Sequence, residues 1–129
     1  MDDLIQITDE PIIPEDFVSS IEWDEYGALV TFTGKVRGRS DGKRVVSLEH
    51  AVNAEDAESM LRGIIRQMRE QWDLGPTAFC YRMGPVEAGG VTLVIAVAAT
   101  HRPEAFAACQ YAIDMFKQRV QAKELREDD

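Results

Sequence analysis

The sequence predicts an α+β domain in which a largely antiparallel sheet carries two main helices. Three observations lead there. Four segments, Gly27–Val36, Val45–Val52, Thr77–Met83 and Val91–Thr100, are rich in β-branched and aromatic residues and bounded by glycine-bearing turns, as strands are. Two longer segments, after Asn53 and after Pro103, carry apolar residues at the three-and-four spacing of a helix with one buried face. Their order, ββαββα with short links inside each strand pair, favours antiparallel hairpins over parallel crossovers. The 129 residues are enough for a real core and are expected to form a single domain, residues 1–129.

The elements follow in order. Pro14–Ile21 is expected as a short helix with Pro14 in its first turn. In Gly27–Val36, alternation puts Ala28, Val30 and Phe32 on one face. Gly38–Lys43 is expected as the hairpin loop joining that strand to Val45–Val52. Asn53 suits an N-cap, and Ala57, Met60, Leu61, Ile64, Ile65, Met68 and Trp72 form the buried stripe of the first long helix. Gly75-Pro76 ends it. Thr77–Met83 is the third strand, and Gly84-Pro85 and Gly89-Gly90 mark a turn region. Val91–Thr100, almost wholly apolar, is expected at the sheet's centre. The last helix begins at about Pro103 and buries Phe106, Cys109, Ile113, Phe116 and Val120. Residues 124–129 read as a frayed acidic tail.

Composition narrows the function. A formal net charge of −9 argues against nucleic-acid or anionic-membrane partners, which need extended basic surface. The start, Met1-Asp2-Asp3, lacks the basic and apolar regions of a signal peptide. The longest apolar run, Val91–Ala99, is too short to span a bilayer. A cytoplasmic location is expected. Cys80 and Cys109 sit in apolar patterns and read as reduced core residues.

Against this acidic background, Thr31–Arg44 carries Lys35, Arg37, Arg39, Lys43 and Arg44 with a single acid, Asp41. Local positive charge with glycines at 34, 38 and 42 points to an anion site that backbone can approach closely. Thr100-His101-Arg102-Pro103 stands where the apolar strand turns into the last helix. There the free N–H groups of a helix start, the arginine fork and an imidazole suit a phosphate or carboxylate. Lys117 borders the apolar stripe of that helix, where partial desolvation makes a lysine usable as a base or nucleophile. A phosphate-binding GxxxxGK[ST] loop, GxSxG, CxxC and HExxH are all absent, and two histidines with two cysteines do not suggest a metal site.

The sequence resembles the large, catalytic subunit of molybdopterin synthase from about Ile5 to Val120. The likeness is carried by Gly27-Ala28-Leu29-Val30-Thr31-Phe32-Thr33-Gly34-Lys35-Val36-Arg37, Leu48-Glu49-His50 and Arg82-Met83-Gly84-Pro85-Val86. It continues in His101-Arg102 with Ala105-Phe106, and in Ala112-Ile113-Asp114-Met115-Phe116-Lys117. The resemblance implies an α/β-hammerhead-like fold and a homodimer, each protomer of which holds a small ubiquitin-like sulfur-carrier subunit ending in Gly-Gly, a heterotetramer in all. The implied reaction moves sulfur from the carrier's C-terminal thiocarboxylate onto cyclic pyranopterin monophosphate, forming the molybdopterin dithiolene in molybdenum cofactor biosynthesis. No cofactor is implied, because sulfur arrives on the carrier. Lys117 matches the family's catalytic lysine, and Lys35, Val36, Arg37, His101 and Arg102 match its substrate-binding positions, the His-Arg pair reaching the neighbouring protomer's site. Lys123 stands where a second catalytic lysine is expected, but Val120-Gln121-Ala122-Lys123-Glu124 lacks the family's Pro and Trp there. Ala51 and Val52 stand where an aromatic residue often follows the histidine. These departures keep open a different role, that of an impaired paralogue or a non-catalytic binding module for a ubiquitin-like partner.

Overall fold

The computed structural model describes residues 3–127. Eleven elements follow one another among them: β1 (Leu4–Thr8), α1 (Pro14–Ser19), β2 (Ala28–Lys35), β3 (Arg39–Ser40), β4 (Lys43–His50), α2 (Ala54–Gln71), β5 (Thr77–Arg82), β6 (Val86–Glu87), β7 (Val91–Ala99), α3 (Arg102–Arg119) and β8 (Ala122–Arg126). The main sheet has the order β1-β5-β7-β2. Its only parallel pair is β1 with β5; β5 with β7 and β7 with β2 are antiparallel. The second sheet sets β4 beside β3, β6 and β8. The architecture is the α+β class expected from the sequence.

Strand β7 is central, and its apolar run has a two-sided cause. Leu93, Ile95, Val97 and Ala99 pack into a core with Leu61, Ile64 and Met68 of α2 and Ala105, Ala108 and Ala112 of α3. The alternate residues Val94 and Ala96 pack on the opposite face with Phe17 of α1, Ala78 and Cys80. A strand covered on both faces loses the polar alternation of a half-exposed one. Both cysteines are free and buried.

Helix α2 is set by local chemistry. The Asn53 side chain accepts a hydrogen bond from the Asp56 N–H at 2.8 Å and donates one to the Asp56 carboxylate at 2.9 Å. This caps a helix end whose first turn also carries Glu55 and Asp56, favourable at the positive end of the dipole. Past its end, the Arg69 guanidinium bonds the Leu74 and Gly75 carbonyls at 3.0 and 2.9 Å and the carboxylate of Asp3. One side chain therefore ties α2, the loop after it and the start of β1 together.

Four expectations change. Residues 4–8 are a strand that the sequence reading left unassigned; it sits at the sheet edge and adds only five residues of alternating character. The hairpin does not join β2 to β4. Asp41 and Gly42, with φ of 53° and 78°, turn β3 into β4, the two-residue Asp-Gly turn whose positive φ values match strand twist. Val36, Arg37 and Gly38 thus carry the chain from one sheet to the other. Phe106 is not core; it is 61% exposed, while the buried face of α3 is Ala105, Ala108, Cys109, Ala112, Phe116 and Val120. Small residues let the helix lie close on β7, so the stripe is one of alanines. Finally, Glu124–Arg126 are not frayed: Ala122–Arg126 run antiparallel to β4, and Arg126 reaches Asp41 and Glu124 at 3.2 and 3.1 Å. Residues 128 and 129 of the expected tail lie outside the described residues.

The close approach of α3 has a measurable consequence. Ala112 is fully buried, so Ala112→Leu should overpack the helix–sheet contact and cost about 1–3 kcal/mol in urea denaturation. Asn53→Ala should cost about 1 kcal/mol by the same measure through loss of the cap.

Candidate active site

A cleft of about 850 Å³ opens where the end of β2, one face of β4, the last turns of α3 and the link into β8 converge. Lys35, Arg37, Leu48, His50, Phe116 and Lys117 are among its walls.

The β2 end is fixed by a bulge between Gly34 and Lys35 and by Val36. The Val36 N–H donates to the Gly90 carbonyl at 2.9 Å, and its carbonyl accepts from the Gly89 N–H at 2.8 Å. Its side chain is buried with Val45 and Val86. Of the expected binding residues, Val36 is therefore an anchor whose backbone groups are already engaged. The exposed side chains on either side of it, Lys35 and Arg37, face the cleft.

Lys117 follows Phe116, which is 4% exposed and anchored in the core, and Ile113 and Val120 line the cleft beside it. Lys117 itself is exposed, so the desolvation expected for it is not found. Among the described residues, no carboxylate lies in ion-pair range of Lys35, Arg37 or Lys117. Three uncompensated cations around one cleft of an acidic chain make a site for an anion.

His50 is a wall residue that the sequence reading quoted only as part of a motif. Its ring lies 5.3 Å from Phe116, edge-on at 78°, and 5.5 Å from Tyr81. Burial pushes its pKa below the ordinary 6.5. The available signal was the alternation of β4, which puts His50 on the face of Leu48.

Lys123 falls elsewhere. On β8 it lies directly opposite Glu49, while Ala122 lies opposite His50 and Glu124 opposite Leu48. Paired residues share a face and neighbours along a strand alternate. Leu48, His50 and Ala122 border the cleft, so Lys123 and Glu49 project from the other side of the second sheet.

His101 and Arg102 lie at the far end of the main sheet. His101 is the N-cap of α3 without a side-chain capping bond, and Pro103 is in the first turn. With Gly27, Ala28 and Thr100 these residues line a shallow hollow of their own. Ala28 pairs with Ala99 at that end of β2, and Lys35 pairs with Val91 at the cleft end. Seven residues of strand at about 3.3 Å each separate the two ends by about 23 Å. One small ligand cannot touch both sets within a single chain. Among the described residues there is no cluster of three or more His, Cys, Asp or Glu fit to hold a metal ion, and no helix long and apolar enough to cross a membrane.

Comparisons with known proteins show the family. A molybdopterin synthase catalytic subunit from Thermoplasma volcanium is 37% identical over 116 residues, covering 90% of this chain and 85% of that one. The crystal structure of molybdopterin synthase from Staphylococcus aureus superposes with a TM-score of 0.86 at 32% identity, covering 96% of this chain and 92% of that one. The complex of subunits 1 and 2 of molybdopterin-converting factor from Helicobacter pylori contains a chain of the same fold, with a TM-score of 0.74 at 14% identity over 97% of this chain and 86% of that one. Residues 7–119 match the family model described as MoaE protein, and the chain belongs to that family.

Proposed function

We propose that this chain is the catalytic subunit of a molybdopterin synthase. It moves sulfur from the C-terminal thiocarboxylate of a small ubiquitin-like carrier, ending in Gly-Gly, onto cyclic pyranopterin monophosphate. The observation that carries the reading is the single cleft in which Lys35, Arg37 and Lys117 meet, in a chain whose relatives are catalytic subunits of that enzyme. Arg37 and Lys35 receive the substrate's phosphate; the guanidinium fork matches its oxygens. Lys117 stands beside the acyl–sulfur bond, where an ammonium stabilises developing oxyanion charge and passes protons. The sulfur travels on the carrier, so neither cysteine takes part; burial pushes both thiols up to about 11, away from thiolate chemistry. The setting is cytoplasmic.

The working form in this reading is a homodimer in which His101 and Arg102 of one protomer complete the cleft of the other. The separation of about 23 Å along β2 supports it. With a carrier on each protomer, the assembly is a heterotetramer. The outward face of Lys123 favours an altered role, as an impaired paralogue or a binding module, unless Lys117 suffices alone.

Three measurements test the reading. Lys117→Ala should nearly abolish single-turnover sulfur transfer from the thiocarboxylated carrier while the fold is kept, and Lys123→Ala should have a much smaller effect. Wild-type transfer by Lys117→Ala would remove Lys117 from the catalytic step, and no transfer by the unmodified protein would leave the binding-module reading standing. Arg37→Ala should weaken substrate binding about tenfold or more, since a charge-assisted bond is worth roughly 1.5–3 kcal/mol. Mixing Lys117→Ala with Arg102→Ala protein should restore activity that neither has alone, because a mixed dimer contains one intact shared site; no recovery would refute sharing.

A further inference from the structure

We infer that His50 is the proton acceptor of this cleft, taking the first proton from the water that opens the acyl–sulfur bond. The inference rests on the sulfur-transfer reading and deepens it.

The chemistry requires such a group. Once the carrier's sulfur is bonded to the pterin, that sulfur is still bonded to the carrier's acyl carbon, as a thioester. Water must add to that carbon, its O–H proton going to a base. The tetrahedral adduct then collapses: the acyl–sulfur bond breaks and sulfur stays on the pterin with the electron pair, as a thiolate. The carrier leaves as a carboxylic acid and loses its proton to solvent. No electrons are gained or lost. One water and one proton acceptor are all the step consumes.

The walls of the cleft offer few acceptors. Lys35, Arg37 and Lys117 carry cationic heads, which donate but do not accept. Glu49, next in sequence to His50, projects from the opposite face of β4 with Lys123 across from it. Glu124, opposite Leu48 on β8, accepts from Arg126 at 3.1 Å. The Tyr81 hydroxyl beneath is fully buried, and its ionisation is pushed up to about 12, by burial first and then by the charge of Glu49. His50 remains. Its side chain is half-buried and lines the cleft. Its ring is held by Phe116, the residue before Lys117, and by Tyr81, so it is preorganised beside the catalytic lysine. Burial disfavours the imidazolium, so the ring is neutral and ready to accept at neutral pH.

The test is single-turnover transfer from thiocarboxylated carrier to the pterin substrate, followed by intact mass of the carrier, in wild type, His50→Gln and His50→Phe. His50→Phe keeps an aromatic ring against Phe116 and Tyr81. Both variants should bind substrate as wild type does, yet release product about 100-fold more slowly or worse. A carrier–pterin adduct should accumulate, which a merely structural defect would not produce. Wild-type turnover should also fall as pH drops through the lowered pKa of His50, below the ordinary imidazole range, because protonated His50 cannot accept; this acid limb should vanish in His50→Gln. Wild-type rates in His50→Gln, or slow turnover without adduct, would overturn the role of His50. A wild-type protein that never consumes the thiocarboxylate would overturn this inference and the sulfur-transfer reading together.

Discussion

Burial of β7 on both faces is the constraint from which the rest of the molecule follows. A nine-residue strand from Val91 to Ala99 cannot present apolar side chains both ways unless each face is covered. Helices α2 and α3 cover one face and α1 the other. The long antiparallel ladder with β2 then runs the whole length of β7, and its two ends become the two polar regions of the chain. One end delivers Lys35 and Arg37 to the cleft; the other places His101 and Arg102 at the start of α3. The strand that makes the core thus keeps these residues about 23 Å apart, which is why a second copy of the chain is proposed to supply the other half of each site.

The second sheet supplies what the core cannot. Val36, Val45 and Val86 make a small apolar cluster that anchors it, and the Asp41-Gly42 turn and the Arg126 ion pairs hold its outer edge. Its cleft-facing side brings His50 against Phe116 of α3, with Leu48 beside it in the cleft wall. Three free cations in that space cost little while solvent reaches them, and they gain strength when a ligand and a partner exclude water. An acidic chain confines this attraction to one place, so selectivity for an anionic substrate comes from where the few positive charges are left unpaired.

Much of this was legible in the sequence because the signals were apolar periodicities. The stripe of α2, the Asn53 cap and the continuous run of β7 all stand as expected. Legibility failed where backbone pairing decided the structure. The segment Ala-Lys-Glu-Leu-Arg of β8 has no apolar alternation, and only its ladder with β4 makes it a strand. The same pairing settles Lys123, whose direction depends on register and not on its place in the chain. Phe106 was misjudged because bulk was taken for burial, whereas the tight approach of α3 selects alanine. At the site, Lys35, Arg37 and Lys117 were found through local charge and family likeness, and the structure brings them together. His50 was passed over because a histidine on a strand declares nothing until its neighbours are known.

The placement of Lys123 also bears on how few groups this cleft needs. A site whose cations are Lys35, Arg37 and Lys117 has fixed positive charge but no mobile acceptor among them, and acyl–sulfur cleavage needs both. Fixed charge steadies the oxyanion; a group that changes protonation state moves the proton. On the proposed roles, the first task falls to the last turns of α3 and the second to β4, elements joined by the edge-on contact of Phe116 with His50. A small aromatic contact between two sheets' worth of structure is then what holds charge and base in register, and its loosening would separate binding from turnover without unfolding the protein.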